Sequence, residues 1–320
     1  MNGHELTLTN KYAFRSLKGL QLVCQILADG YPVKTITKSL PDVAPGQTYT
    51  LAVSQSDIDK AKRKSKVESV ITARILDPRA NDYAPAGHEL ALYHHTLYLN
   101  DQLPNEPALM ILIREAEGLE FAFQNHRWIE NDRFHDTNSD DKADAQISYT
   151  KLAGTSTNVS VSITPHDGGL RRAGVICKLP KTLTNVSYYG YGPYENYPDR
   201  KAGVLPGRYE QTVGQLAEHY IKPQTTGDRF VREVTLTDAE GHGYKIECPE
   251  GLYFSANPYT DADLMNAQHQ WELKPQPHIY LQLAAELRGL GNASCGPGPM
   301  QKDTIDGNKP ITFSFKVTKI

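Results

Sequence analysis

Three segments of the 320-residue chain concentrate residues that could bind or react with a ligand. The first, residues 188–200, reads YYGYGPYENYPDR and sets Glu195, Asp199 and Arg200 among tyrosines. Its Gly-Pro and Tyr-Pro-Asp sequences predict turns. The charged residues favour a turn held by ion pairs and by an arginine fork that donates to backbone carbonyls. A loop that contacts a ligand is the alternative.

The second and third segments are also rich in turn residues. Residues 220–229 read YIKPQTTGDR and predict an extended piece, a glycine turn and the entry to a strand. Residues 289–299 read GLGNASCGPGP and predict a tight loop whose backbone approaches another group closely. A glycine-rich phosphate cradle needs a helix after the loop, and Pro297 and Pro299 exclude that helix. Nucleotide binding is therefore disfavoured.

Nucleophilic and metal chemistry have weak support in the sequence. Cys295 lacks any signature of an activating base, so a free thiol lining a pocket is favoured over a nucleophile. His94 and His95 are neighbours on a predicted strand and must face opposite sides, which disfavours a shared metal. The acid-rich residues 131–144 predict a surface loop rather than a calcium site, because EF-hand spacing and its closing glutamate are absent. We expect no metal site.

Composition narrows the class of protein further. The net charge of −3 and the 39% hydrophobic content indicate a globular protein and disfavour nucleic acid as a partner. No apolar stretch reaches the length of a membrane helix, and no secretory signal is present, so we expect no membrane partner and a cytoplasmic location. The four cysteines lie far apart and are expected to be free thiols.

The elements that must position these segments are predicted to be strands. Alternating apolar and polar residues, abundant tyrosine, and frequent glycine and proline indicate an all-β protein. Residues 4–103 fit an immunoglobulin or fibronectin-like sandwich, and residues 108–320 form a second domain. Residues 54–65 are polar and charged and predict a solvated loop. One short helix is predicted over residues 262–268, capped by Thr260 and Asp261.

The motifs and their order resemble the C-terminal region of the glycoside hydrolase family 2 β-galactosidases. The resemblance rests on GPYENYPDR, YIKPQTTGDR with VRE, YFSANPYTDADLMNAQHQWEL and GLGNASCGPGP, and it extends to LTNKYAFR, DVAPG and PAGHELA in the first domain. It implies an immunoglobulin-like sandwich followed by a galactose-mutarotase-like β-supersandwich, the small-chain domain of the family.

The resemblance also implies a function. The chain would be a noncatalytic part of a β-galactosidase that completes the active-site wall and the assembly for hydrolysis of terminal β-D-galactosides such as lactose. The family is retaining, and its two glutamates, with magnesium and sodium nearby, lie on a barrel that precedes the region matched here. No cofactor is expected on this chain, and a barrel-bearing β-galactosidase chain is the expected partner.

The resemblance assigns residues one by one. Cys295 takes a position beside the sugar that is often Trp, and Ser294 and Gly296 flank it at the edge of the pocket that holds the β-galactoside. The first motif is taken as structural, and its residues are Glu195, Tyr197, Asp199 and Arg200.

Several departures leave alternatives open. Thr225 replaces a glutamate of the family, and Ala284 and Leu287 stand where an aspartate and a glutamine are usual. A longer insert expected after residue 123 is missing, so the second domain is expected to be shortened. The chain would then be a shortened paralogue, a truncated gene product or a subunit completed by a partner. A stand-alone module that binds carbohydrate or protein, or a fragment without function, are the other readings.

Overall fold

The computed structural model is nearly all-β, as the sequence predicts. Its contacts divide the chain into two compact units, of which the first holds residues up to 100 with Leu205–Gly207 and the second holds the rest. The described residues are 4–100, 102, 106–109, 111, 113–129, 133–135, 143–166, 170–223, 227–291 and 296–320.

The first unit is built from two antiparallel sheets. One sheet pairs β1 with β4, and the other has the order β3-β2-β5-β6. Leucines and isoleucines at alternate positions face the space between the sheets, which forms one apolar core. The elements are β1 (Glu5–Thr9), β2 (Gln21–Ala28), β3 (Tyr31–Ser39), β4 (Thr48–Ala52), α1 (Gln55–Lys64), β5 (Glu68–Asp77) and β6 (His88–Leu99).

The prediction of a loop over residues 54–65 is wrong, because the structure has the helix α1 there. Ile58 and Ala61 are spaced three residues apart and lie buried on one face, while the charged residues cover the other. Asp57 lies in the first turn and three basic residues lie in the last, which suits the helix dipole. Two buried apolar residues are too weak a helical signal among so many charged ones.

In the described part of the chain, the second unit carries a branched sheet of eleven strands. Its main path is β13-β12-β14-β15-β16-β11-β7-β8, and β9, β10 and β17 form a branch that joins at β15. Residues 131–144 lie largely outside the described part. The elements are β7 (Ala122–Ile129), β8 (Arg133–His135), β9 (Ala143–Lys151), β10 (Ser156–Pro165), β11 (Leu170–Pro180), β12 (Asn185–Gly192), β13 (Leu205–Thr212), α2 (Val213–Leu216), β14 (Arg229–Thr237), β15 (Gly243–Asn257), α3 (Asp261–Asn266), β16 (His278–Leu287) and β17 (Ile311–Lys319).

The long strand β15 joins the two layers of this unit. Its first residues pair with β17 and its last residues pair with β16. The branch and the main path share one apolar core, in which Phe121 meets Phe315 edge to face with ring centroids 5.1 Å apart. The second unit is thus a sandwich, and its core holds the ends of β12, β14, β15 and β16 in place.

The predicted short helix is present, and three of the four cysteines predicted to be free thiols lie in the described part of the chain. Helix α3 begins after Thr260, whose hydroxyl accepts from the Asp263 amide while the Asp263 carboxylate accepts from the Thr260 amide. Cys24, Cys177 and Cys248 are free and buried, and burial raises the pKa of Cys24 and Cys248 to about 11. In the described part of the chain, none of the helices has the length and apolarity that a membrane crossing requires.

Candidate functional site

The terminal glycine-rich loop is held by one aspartate of the first motif. After β16 the chain turns, and the Asp199 carboxylate accepts from the Leu290 amide at 3.0 Å and from the Gly291 amide at 2.7 Å. On the other side, the Gly289 amide donates to the Asp303 carbonyl at 2.6 Å. Two segments about ninety residues apart in the chain are therefore joined by charge-assisted hydrogen bonds. We call these contacts the Asp199 clamp.

Two positions of this loop require glycine, because neighbouring atoms lie too close to leave room for a Cβ. A Cβ on Gly289 would lie 2.6 Å from a carboxylate oxygen of Asp199. Gly291 has a φ of +61°, and a Cβ there would lie 2.4 Å from the Gly298 carbonyl carbon. Only glycine meets both demands without displacing the clamp or the returning loop.

The turn that carries Asp199 is fixed by a buried glutamate. Glu195 is 2% exposed and accepts from Arg200 at 2.8 Å and from the Tyr220 hydroxyl at 2.7 Å. Arg200 also donates to the Tyr220 oxygen at 3.0 Å. The backbone of Tyr197 and Arg200 pairs across the turn, which sets Asp199 between them. The first motif thus orients the aspartate that holds the terminal loop.

A different arginine from the predicted one forms the fork to the backbone. Arg200 bonds to side chains, whereas Arg229 is buried and donates to the carbonyls of Pro193, Leu216 and Gly227. Asn196 completes the connection, because its side chain accepts from the Phe230 amide at 3.0 Å and donates to the Tyr191 and Tyr194 carbonyls. These bonds tie the first motif to the second. Sequence reasoning missed Arg229 because its three acceptors come from separate segments.

A buried ion pair lies on the strands next to this turn. Arg172 on β11 donates to both carboxylate oxygens of Asp228 at 2.7 and 2.8 Å, and both residues are almost fully buried. Burial acts to lower the pKa of Arg172, but the charge of Asp228 and its hydrogen bonds raise it above the usual value. Arg172 therefore stays charged.

A row of polar side chains continues along β15 and β16. Ser255 donates to Gln282 at 3.3 Å, and the Gln282 amide donates to Asp261 at 2.6 Å. Asp261 also helps to raise the pKa of Arg172. The carboxylates of Asp199, Glu195, Asp228 and Asp261 therefore all accept hydrogen bonds from neighbouring groups of the protein.

An ammonium group among three aromatic rings marks the same end of the sheet. Lys201 follows the first motif, and its Nζ lies 4.4 Å from the ring centroid of Phe230, 5.3 Å from Tyr253 and 5.4 Å from Tyr191. Burial and the charge of Arg232 lower the pKa of Lys201. Nothing in the sequence placed this lysine near the rings, because the rings come from three strands.

The expected sugar-contacting residues are placed only in part. Ser294 and Cys295 lie outside the described residues, while Gly296 lies in the loop and is exposed. Glu195, Tyr197, Asp199 and Arg200 are brought together. His94 and His95 are on β6 of the first unit, away from these motifs in the chain. Within the described ranges, no three His, Cys, Asp or Glu side chains are grouped to hold a metal ion.

Two family models match successive ranges of the chain. Residues 106–317 match the β-galactosidase small chain, and residues 6–98 match domain 4 of β-galactosidase. The two matches together cover nearly all of the sequence.

Individual relatives are similar over parts of their length. The β-galactosidase BgaC of Bifidobacterium adolescentis is 23% identical over 397 residues, covering 98% of this chain and 38% of the relative. The β-galactosidase of Streptococcus thermophilus is 33% identical over 134 residues, covering 41% of this chain and 13% of the relative. An exo-chitosanase from Amycolatopsis orientalis aligns with 73% of this chain and 24% of its own, at 12% identity and a TM-score of 0.24, which does not show a shared fold. The chain spans under two fifths of the length of these relatives.

Proposed function

This chain belongs to the β-galactosidase small-chain family, and we propose from that premise that it forms a noncatalytic part of a β-galactosidase. In this proposal its terminal loop completes the active-site wall, and a barrel-bearing chain or segment supplies the catalytic glutamates with magnesium and sodium. The reaction is the retaining hydrolysis of terminal β-D-galactosides such as lactose.

The Asp199 clamp is the observation that carries the proposal. A loop that lines a sugar pocket must be held rigidly, because a small displacement of a binding group costs affinity and rate. Asp199 holds the loop by two amides, and Glu195, Arg200 and Tyr220 hold the turn that carries Asp199. A stiff support for an exposed glycine-rich loop fits a pocket wall.

The bonding of the carboxylates supports a noncatalytic role. A retaining glycosidase needs two carboxylates that face the glycosidic bond, one of which acts as a nucleophile. The acidic residues near the clamp instead hold amides, arginines and a glutamine. Their bonding supports a catalytic pair located elsewhere in the assembly.

The alignment with the Bifidobacterium relative supports a shortened region. It extends over 397 residues, which exceeds the length of this chain, so the relative carries residues that this chain lacks. We propose that a partner covers the surface that those residues would otherwise cover.

Hydrolysis of a chromogenic β-galactoside by the purified chain tests the proposal. The chain is assayed alone and then mixed with a barrel-bearing β-galactosidase chain that lacks the small-chain region. Activity in the mixture and not in either chain alone is the expected result. Activity of this chain alone would contradict the noncatalytic role, and no activity in the mixture would favour a stand-alone carbohydrate- or protein-binding module.

A further inference from the structure

Three motifs of the first unit come together at one end of its sandwich. They are LTNKYAFR (residues 8–15), DVAPG (residues 42–46) and PAGHELA (residues 85–91). Gln21 at the start of β2 pairs with Leu76 near the end of β5, so the loop between β1 and β2 and the loop between β5 and β6 lie at the same end of the sheet. Thr9 pairs with Thr48, which brings the residues before β4 beside the first of these loops.

Two buried polar side chains join these loops. Asn10 is 2% exposed, and its Nδ2 donates to the carbonyls of Arg15 and Val43, each at 2.8 Å. The Asp77 carboxylate accepts from Arg15 at 2.6 Å and from Arg79 at 2.9 Å. The loop between β1 and β2 is therefore tied both to DVAPG and to the loop between β5 and β6.

The loop between β5 and β6 is also fixed at its tip. The Asn81 side-chain oxygen accepts from the amides of Tyr83 and Ala84, each at 2.9 Å, and the Asn81 amide donates to the Ala84 carbonyl at 3.0 Å. At the base of the loop, the Gly87 amide donates to the Asp77 carbonyl at 2.7 Å. A side chain on such a loop loses little further backbone freedom when it binds a partner.

Each of these fixed loops presents one aromatic side chain to solvent. Phe14 is 99% exposed and Tyr83 is 96% exposed, the highest values among the large apolar side chains of the described residues. A ring that lies wholly in water contributes no packing to the free chain. Aromatic side chains supply much of the binding energy where proteins associate, especially when they are held in place before binding. The two loops therefore have the form of an interaction surface.

The same end of the first unit is cationic, although the whole chain has a net charge of −3. The Arg15 and Arg79 side chains are 43% and 61% exposed, while that of Asp77 is 6% exposed, so the positive charge faces solvent. Two copies that met through this end about a twofold axis would bring like charges together. Residues 10–20 and 77–87 together carry four basic side chains and two acidic ones, namely Lys11, Arg15, Lys18 and Arg79 against Asp77 and Asp82.

We propose that Phe14 and Tyr83 are anchors that insert into apolar recesses, rimmed by carboxylates, on the barrel-bearing part of a β-galactosidase. This interface rests on the proposed function and gives the first unit the task of docking. The chain spans 38% of the Bifidobacterium relative, so most of such an enzyme lies outside it. The first unit matches domain 4 of β-galactosidase, and other domains of that enzyme are therefore available to cover its exposed end.

Binding is measured by titration calorimetry between the full chain and the barrel-bearing chain of the hydrolysis test, in a form that also lacks domain 4. Phe14→Ala and Tyr83→Ala are each expected to raise Kd about tenfold or more. Tyr31→Ala is the matched control and should leave Kd unchanged. Tyr31 is 60% exposed in the same unit, but it pairs with Ala28 at the opposite end of the sheet. All three side chains are exposed, so the variants should fold like the parent, which circular dichroism checks.

A charge reversal tests the acidic rim of the recesses. Lys11→Glu places a carboxylate on the loop that carries Phe14 and is expected to raise Kd several-fold. Lys34→Glu makes the same change at an exposed position of β3 and should have a smaller effect. Equal Kd values for the two variants would overturn the charge complementarity.

The outcomes separate this interface from the proposed function. Parent-like Kd values for Phe14→Ala and Tyr83→Ala would overturn the interface, and hydrolysis in the mixture would then show that the proposed function stands without it. Weakened binding by both variants without hydrolysis in the mixture would support the interface and contradict the proposed function. No binding by the parent would overturn the interface. A dimer of the chain alone in sedimentation, abolished by Phe14→Ala, would assign the surface to a second copy instead.

Discussion

At the scale of single residues, one carboxylate links the motif predicted to be structural to the loop predicted to contact sugar. Asp199→Ala removes both acceptors of the clamp and releases the amides of Leu290 and Gly291. In the reconstituted enzyme, we expect KM for a chromogenic galactoside to rise about tenfold or more, with a smaller change in kcat. Asp82→Ala, an exposed aspartate of the first unit, is the control and should leave both unchanged. Parent-like kinetics for Asp199→Ala would show that the clamp does not affect substrate binding.

Cys295 gives a second prediction about the loop, which rests on the family resemblance. Replacing Cys295 by Trp exchanges a small soft contact for a flat stacking face. In the reconstituted enzyme, we expect galactoside KM to change several-fold while the free energy of unfolding stays within about 0.5 kcal/mol. Met300→Trp, at a 70% exposed position after the loop, is the control. Equal kinetics for Cys295→Trp and the parent would remove Cys295 from the pocket.

The buried pair of Arg172 and Asp228 supports stability. Arg172→Met leaves the Asp228 carboxylate buried without its bidentate partner, which we expect to lower the free energy of unfolding by about 3–5 kcal/mol. Urea unfolding followed by tryptophan fluorescence measures this, because both tryptophans lie in the second unit. Arg79→Ala breaks a pair whose arginine side chain is 61% exposed, and Asp77 keeps its second partner Arg15. It should therefore lower the free energy of unfolding, followed by circular dichroism, by less than Arg172→Met does. A loss below 1 kcal/mol for Arg172→Met would show that the pair is dispensable.

The candidate site could be predicted from the sequence only where its signals are local. The turn around Glu195 and Asp199 follows from Gly-Pro and Pro-Asp, and close approach of the terminal loop follows from its glycines. The fork of Arg229 and the pairing of Arg172 with Asp228 depend on contacts between distant strands. The residue pattern of a single sequence does not indicate contacts between segments that are far apart in the chain.

At the scale of elements, α1 shows where the sequence pattern was misread. A strand-rich context and a high charge density made residues 54–65 look like a loop, but Ile58 and Ala61 give one helical face. The helix predicted over residues 262–268 is present as α3 (Asp261–Asn266), because Thr260 gives a local capping signal in the sequence. A helix with a capping signal in its own sequence is therefore easier to predict than a helix whose only signal is two buried side chains.

Ile58 anchors α1 against the core of the first unit. Because Ile58 is 3% exposed, Ile58→Ala should lower the free energy of unfolding of that unit by about 2–4 kcal/mol. Hydrogen exchange of the β2 and β5 peptides measures it, since the first unit has no tryptophan. Lys62→Ala, on the exposed face of the same helix, should stay within about 0.5 kcal/mol of the parent. Equal protection in both variants would mean that α1 is not docked by Ile58.

At the scale of the whole molecule, the all-β class and the pattern of strands follow from alternation, but the sheet order does not. Strand β10 pairs with β17, which lies far away in the chain, from Ser156 with Thr318 to Ile163 with Ile311. The long strand β15 pairs with β17 at one end and with β16 at the other. These choices depend on which apolar faces fill a shared core, and alternation alone is equally compatible with other orders.

We expect the free energy of unfolding to decrease at acidic pH, with contributions from carboxyl groups in both units. Hydrogen bonds from Arg79 and Arg15 lower the pKa of Asp77 below its usual 3.8. Burial acts to raise the pKa of Glu233, yet hydrogen bonds from Arg208 and Lys245 lower it below the usual 4.5. A carboxyl whose pKa is lower in the folded state binds fewer protons there than in the unfolded chain, so stability rises with pH across that range. The stabilisation is fully present above the usual values and is lost as the pH falls below them toward and through the lower folded-state pKa values.

Urea unfolding at pH 7, 5 and 3 tests this. We expect nearly equal free energies at pH 7 and 5 from these carboxyls and a clear decrease at pH 3. Glu233→Gln removes one titrating group that pairs with Arg208 at 2.9 Å and with Lys245 at 3.0 Å, both in the second unit. The tryptophan-detected transition of Glu233→Gln should therefore be less stable than the parent at pH 7 and should lose less between pH 5 and 3. If the variant and the parent lose the same amount, Glu233 does not contribute to the acid sensitivity, and a gain of stability at pH 3 would contradict the lowered pKa values.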